Sequence, residues 1–502
     1  MKKYILSLLV ATAATSGSLY AQTLAGNAFD FSQTNYGSTA RFKAMGGAQI
    51  GVGGDIGSIN ANPAGLGLFT KSEFSITPEF NSVNNKTSFL GTQTTGNKSQ
   101  INLNNVGVVF YSPAYKAKGS DVNSGLVSSV FGLSYNRNND FLNNFQYNGT
   151  NTNSSIRDSY VEDASANGIT NTVGGDAYQS YLINKNATNF PNGFSAEPYN
   201  NANFKQNFNE NRLGSTSEFN VAGALNFSNK LYIGATASFV NVKYVSDAVF
   251  LESGILNSFN EDTKQYNGTE NYALTQSRNQ ESKGSGFNLK LGMIFRPISE
   301  LRIGVNFQSP TWMNVEDNTY VQLNTSLINY KSNNDPINFY SSYNLRTPLK
   351  ASGGISYIIG GRALISADID YIDYSSIRFS SDNNSNIADI NSSNSLIKNS
   401  YKETVNYRFG AEVKVNDQFS LRAGYGVNGN GIKDEYLGNS EAKYYSGGLG
   451  YRIDNYYLDL TYQNYQIKSL KSSPYLLNDY SEPVADTKSN RNNVFLTFGV
   501  RF

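Results

Sequence analysis

The chain of 502 residues contains no cysteine and no histidine. Without cysteine there are no disulfides, thiolate metal sites or thiol nucleophiles. Without histidine the Ser-His-Asp triad, histidine zinc sites and histidine-ligated haem are excluded. Charge is sparse as well: 16% of residues are charged, against about 25% in ordinary soluble domains. The 40 Lys plus Arg nearly balance the 39 Asp plus Glu, which argues against nucleic acid as a partner. One tryptophan stands beside 35 tyrosines and 30 phenylalanines. Asn, Ser, Thr and Tyr supply the polarity that charge usually supplies.

Lys2 and Lys3, the apolar stretch Ile5 to Ala14 and the small residue Ala21 before Gln22 have the three-part layout of a secretory signal peptide, expected over residues 1–21. The stretch is too short to span a bilayer as a helix, and no later apolar run reaches the ~18 residues a membrane helix needs. An exported chain of this kind is either soluble or a membrane β-barrel. A barrel is written as alternating segments of ~10 residues, joined by short turns on one side and long loops on the other.

That pattern is present. Val494, Leu496, Phe498, Val500 and Phe502 share one strand face, while Phe495, Thr497, Gly499 and Arg501 share the other. Val405 to Val415 and Phe419 to Val427 alternate around a tight Asn416-Asp417 turn and predict a hairpin. Alternation predicts fourteen strands: 73–82, 102–111, 126–136, 216–227, 231–245, 284–296, 300–308, 346–359, 362–374, 401–415, 418–427, 441–453, 456–467 and 492–502. Five of six connections on one side are very short, Ser112 to Gly125 being the exception. All seven on the other side are longer, which makes that side the outer one. The fold class is therefore all-β: an antiparallel transmembrane barrel of fourteen strands over residues 73–502, sealed on itself because lipid offers no partner to a free edge. Tyr371, Tyr374, Tyr456 and Tyr462, at strand ends, are expected in its aromatic girdles. The Asn-rich segments 137–215 and 375–400 are expected as solvated outer loops. Asp382 to Asp389 fails the spacing of a calcium loop, and Asp368, Asp370 and Asp373 are expected as lumen or rim polarity. No cofactor and no metal are called for.

Residues 22–72 do not alternate. They carry Ala44-Met45-Gly46-Gly47-Ala48 and Asn60-Ala61-Asn62-Pro63-Ala64-Gly65-Leu66-Gly67. No phosphate-loop spacing is present. A compact, weakly charged, Gly- and Ala-rich segment suits a hatch folded inside the lumen of a barrel this wide.

The Ala-Met-Gly-Gly-Ala run, Asp55, and Asn62-Pro63-Ala64-Gly65-Leu66 resemble the hatch of the FadL/TodX outer-membrane transporters. Leu301 to Pro310, Asp368 to Tyr374, Arg408 to Glu412 and Leu421 to Tyr425 are similar to strand motifs of that family, in the same order. The resemblance implies a passive, non-enzymatic outer-membrane transporter of hydrophobic small molecules, such as long-chain fatty acids or aromatic hydrocarbons, in a Gram-negative-type bacterium. It also implies capture by outer loops, an apolar lumen pocket, and release past the hatch or through a wall opening at a kinked third strand. Asn62, Pro63, Ala64 and Gly65 carry over as the hatch motif, and Gly132 is the candidate kink point. Arg302, Arg408 and Arg422 are candidates for holding a ligand carboxylate, with lumen ion pairs such as one to Glu412 as their other reading. The expected partners are the hydrophobic ligand and outer-membrane lipid with lipopolysaccharide, around a monomer. The alternatives are a diffusion porin, an adhesin or structural barrel acting through its outer loops, and a membrane enzyme, for which the usual bases and nucleophiles are missing.

Overall fold

The computed structural model describes residues 15–33, 37–119, 121–186, 193–196, 198, 203–260, 265–327, 331–381, 387–477 and 481–502. Most of the expected signal peptide, residues 1–14, and part of the calcium-like stretch, 382–386, lie outside the described residues.

One antiparallel sheet closes on itself as a barrel. Its wall strands are β1 (Glu73–Phe89), β2 (Thr92–Pro113), β3 (Leu126–Asp140, resuming as Asn143–Asn151), β4 (Phe204–Phe227), β5 (Leu231–Asn260) and β6 (Gln265–Phe295). Next come β7 (Leu301–Gln308, then Trp312–Leu327), β8 (Lys331–Asn333, Ile337–Arg346 and Lys350–Ile359) and β9 (Ala363–Asp373, then Arg378–Ser380). The last are β10 (Glu403–Lys414), β11 (Phe419–Asn428), β12 (Gly438–Ile453), β13 (Tyr456–Ser472) and β14 (Ala485–Arg501). β14 pairs with β1 from Glu73↔Arg501 to Ser88↔Asp486, so the cylinder has no terminal edge. These are the fourteen strands that alternation predicts.

Period-two burial holds the wall in lipid. On β14, Leu496 and Phe498 are 40% and 45% exposed on the outside, while Phe495 and Thr497, which alternate with them, are fully buried in the lumen. Tyr371, Tyr456 and Tyr462 point outward as girdle residues, but Tyr374 is buried inside. Several outer connections expected as loops are strand. β1 and β2 meet at a Leu90-Gly91 turn with positive φ at both residues, and β5 and β6 run on to Asn260 and from Gln265. The barrel wall therefore stands well above its apolar band.

The segment 137–215, expected as solvated loop, is largely folded. It includes the upper part of β3, helices α4 (Ile156–Asn167) and α5 (Val173–Gln179), and the start of β4. Ser155 and Asp158 form a capping box at the start of α4. Ile156, Tyr160 and Ala164 fall on one face and enter an apolar core with Phe89, Tyr147, Phe250 and Tyr272. A folded cap thus sits over the outer end. Within 375–400, Ile387–Ser400 is likewise helical rather than loop and packs Ile390 and Ile397 into the lumen core.

Candidate functional site

The inner end of the lumen is filled by residues 37–72. They form the short helices α2 (Ala40–Ala44) and α3 (Ser58–Ala61) and a 3-10 turn at Pro63–Leu68. Phe42, Met45, Ile50, Val52, Ile56 and Ile59 are fully buried there. The barrel wall makes room by carrying glycine at many of the places where the hatch backbone comes closest. A Cβ on Gly424 would lie 2.0 Å from the Gly46 nitrogen, one on Gly304 2.1 Å from the Ile50 carbonyl, and one on Gly234 2.4 Å from Pro63. Gly107, Gly292, Gly354, Gly410 and Gly448 meet the hatch in the same way.

Irregular backbone at membrane depth must find partners inside the protein. The barrel supplies them from inward-facing side chains. Asp368 accepts from the backbone N–H groups of Gln49 (2.6 Å) and Ile50 (2.8 Å). Thr461, Ser356 and Thr236 donate to the carbonyls of Ala40, Gly51 and Ile59 at 2.6, 2.8 and 2.9 Å. Arg41 reaches Glu412 through two bonds of 2.8 and 3.0 Å, and Lys290 holds Asn60 (2.6 Å) and Glu218 (2.5 Å). Burial pushes the Asp55 carboxyl up to about 6, with Arg41 opposing, and pushes the Lys43 ammonium down to about 8.

The hatch motif works locally. The Asn62 side chain accepts from the Ala64 N–H at 3.2 Å and donates to the Ile50 carbonyl at 2.7 Å, while Pro63 opens the 3-10 turn. Gly65 packs where a Cβ would meet Ser58 Oγ at 2.6 Å. The candidate arginines are all engaged by the protein. Arg302 donates to the Val52 carbonyl (2.6 Å), Arg408 pairs with Asp370 (2.7 Å) and Tyr444, and Arg422 lies between Glu412 (2.6 Å) and Asp459 (2.5 Å). Asp368 as a hatch clamp was not legible in the sequence, where it is one of three clustered acids.

The wall is broken on one side. β2 pairs with β3 only from Pro113↔Ser128 to Asn105↔Asn136. Above that, Thr92–Asn104 of β2 ladders with β1 alone. The upper part of β3 crosses the inner face instead, where Asn85 donates to the Asn144 carbonyl (2.7 Å) and Thr94 to that of Gln146 (2.5 Å). The register of β3 against β4 shifts between Arg137 and Asn139. Opposite the shift, Gly214 has φ +112, and a Cβ there would sit 1.9 Å from the Lys243 carbonyl oxygen. The bulged residue is Asn138 on β3, and the backbone that Gly214 adopts beside it is one that only glycine takes without strain. Gly132 lies lower, in regular register with Val109 and Ala222, facing Ile59 of the hatch.

Two compartments meet at this break. A polar cavity of ≈ 80 Å³ lies between hatch and break, lined among others by Lys43, Asn81, Arg137, Asp140, Arg408 and Arg491. Arg137 pairs with Asp140 (3.1 Å), Gln100 donates to Asp140 (3.0 Å), and Arg491 donates to its carbonyl (3.1 Å). Above it is an apolar chamber walled by Tyr244, Val315, Tyr343, Ile372 and Tyr374, and it is occupied by helix α1 (Thr15–Ser32) through Leu24, Ala28, Phe29 and Phe31. The Phe29 ring stacks on Tyr401 at 4.5 Å and tilts against Tyr374 at 4.8 Å. Where the resemblance implies an apolar lumen pocket, the described residues form an apolar core that α1 helps to fill.

A closed, lipid-facing barrel with an internal hatch, a strand ladder interrupted on one side and an apolar lumen core is the architecture of an outer-membrane channel for hydrophobic compounds. The family model described as "Outer membrane protein transport protein (OMPP1/FadL/TodX)" matches residues 17–474. The chain belongs to this family, whose members are non-enzymatic channels. In fold it is similar to a Pseudomonas aeruginosa FadL homologue, at 12% identity over 93% of this chain and 98% of that one, with a TM-score of 0.53. It is likewise similar to the Pseudomonas putida toluene transporter TodX, at 13% identity over 93% and 99%, with a TM-score of 0.52. No curated protein matches the sequence.

Proposed function

We propose that the chain carries amphiphilic hydrophobic molecules, long-chain fatty acids ahead of neutral aromatic hydrocarbons, into the outer membrane and releases them sideways between β2 and β3. The single observation that carries this reading is the unladdered edge Thr92–Asn104 beside a cavity bearing Lys43, Arg137, Arg408 and Arg491 against Glu79 and Asp140. With Asp370 pairing Arg408, a single positive charge is left in excess beside this edge, and it favours a carboxylate head over a bare ring. The tail's place is the apolar chamber, from which it displaces Phe29 and Phe31 of α1. The hatch then serves as floor rather than door, because moving it would strip more than a dozen backbone and charge contacts at once. The expected cleavage after Ala21 leaves the residues that fill the chamber, Leu24 to Phe31, on the mature chain.

The test uses the absence of native cysteine. Gln100→Cys with Asp140→Cys places a pair across the break, where the polar tips of the native side chains meet, to be joined oxidatively through a bifunctional methanethiosulfonate whose two disulfides are reducible. In vesicles containing the full chain, oleate uptake is expected to fall about tenfold on oxidation and to return on reduction, since closing the route removes the step that positions the ligand. Uptake unaffected by the closed pair would overturn lateral release.

A further inference from the structure

Along the outer surface one hydrogen-bonded row of residues crosses six strands without interruption: Phe219, Phe239, Phe287, Trp312, Arg346 and Arg378, each directly opposite the next. The alternate positions, Met313, Leu345 and Phe379, are buried in the lumen, so all six of these side chains face out. Strands in a barrel tilt by roughly 35–45°, so such a row climbs toward the outer side by about 3 Å per strand. The chemistry follows the climb. Three phenylalanines, 48–59% exposed, are followed by the only tryptophan of the chain, whose ring packs on Phe287 at 5.4 Å. Tryptophan marks the boundary between hydrocarbon and headgroups. The next two positions upward are arginines.

Two arginines directly opposite on one sheet face repel, because their Cβ atoms are about 5 Å apart. Among the described residues neither guanidinium has a carboxylate within 4.0 Å or a hydrogen-bond partner. Of the nearest outward acids, Asp373 is taken up by the N–H and hydroxyl of Ser375 at 3.0 and 2.6 Å, and Glu316 lies two outward positions above Trp312. Leu349, Tyr371 and Phe307, all exposed, form an apolar surface below the pair.

We infer that Arg346 and Arg378 form a binding site for a phosphate monoester of lipid A, the anchor of lipopolysaccharide in the outer leaflet. The two planar forks take the phosphate oxygens between them, which turns the repulsion into attraction. Trp312 sets the depth, and the acyl chains lie over Leu349, Tyr371 and Phe307. The inference needs only the barrel's place in the outer membrane and is independent of what the lumen carries.

The full chain is purified in detergent, mixed with bisphosphorylated lipid A, and the lipid retained after washing is measured by mass spectrometry. Arg346→Gln with Arg378→Gln is expected to retain about tenfold less, the worth of a charge-assisted bidentate contact, while Lys414→Gln at the opposite end of the barrel retains as much as the unaltered chain. Heat-modifiable migration on a gel reports whether each variant folds. If the double variant does not fold, the unaltered chain alone decides, through its retention of lipid A against dephosphorylated lipid A. An excess of inorganic phosphate is expected to leave retention unchanged. Equal retention by a folded double variant, equal retention of the dephosphorylated lipid, or displacement by inorganic phosphate would each overturn the assignment.

Discussion

At the scale of single residues, the hatch is held by charge placed where water cannot reach it. Glu412 serves two cations, Arg41 from the hatch and Arg422 from β11. Replacing it by Gln leaves buried guanidinium charge with less compensation, a loss of about 3–5 kcal/mol when one member of such a set is removed. Urea unfolding of the Glu412→Gln variant in detergent is expected to show that loss, most of it in the hatch. Asp55 gives the hatch a pH dependence of predictable sign. Its carboxyl is raised by burial from an ordinary 3.8 to about 6, so the neutral form is favoured in the seated hatch. Its contribution is fully present below about pH 4 and is lost as pH rises through 6. Hydrogen-exchange protection of residues 39–57 is expected to fall between pH 4 and 7 in the unaltered chain, and the part due to Asp55 to vanish in Asp55→Asn. A drop of equal size in both chains would assign it to other groups.

At the scale of elements, α1 fills the apolar core that the proposed route assigns to the cargo's tail. Phe29 lies between two tyrosines, and Phe31 between Phe141 and Tyr244 at 5.5 and 5.9 Å. Truncating Phe29 to Ala removes about 3–5 kcal/mol of packing. It should free the chamber, so binding of a fluorescent fatty acid is expected to tighten rather than weaken; weaker binding would make α1 part of the pocket wall instead. The strands inside the apolar band were legible in the sequence because one face meets lipid and the other a polar lumen, as Val405 to Val415 displays. Above the band the outer face meets water and the inner face packs on the Asn-rich upper part of β3, so Ser82 to Ser88 and Thr92 to Gln100 are largely polar on both faces, and alternation leaves little mark. The cap escaped for a related reason: Asn-rich composition hides the four-residue spacing of Ile156, Tyr160 and Ala164 and the capping box that starts their helix. The glycines carried two meanings. Gly424 and Gly304 mark contact with the hatch, Gly214 marks the wall break, and only register and φ separate these roles.

At the scale of the whole molecule, the barrel is closed at its inner end by the hatch, covered at its outer end by the cap, and interrupted in its strand ladder at one place in its side. Everything proposed about transport follows from that division between fixed floor and interrupted wall. The most direct measurement locks the floor. Ala40→Cys and Thr497→Cys join the hatch to β14 where the Ala40 N–H donates to Thr497 at 2.7 Å. With that pair oxidised in vesicles, oleate uptake is expected to stay within about twofold of the reduced protein, because the proposed route asks no movement of the hatch. Uptake abolished by the lock and restored by reductant would show that cargo passes through the floor, and the account of lateral release would fail.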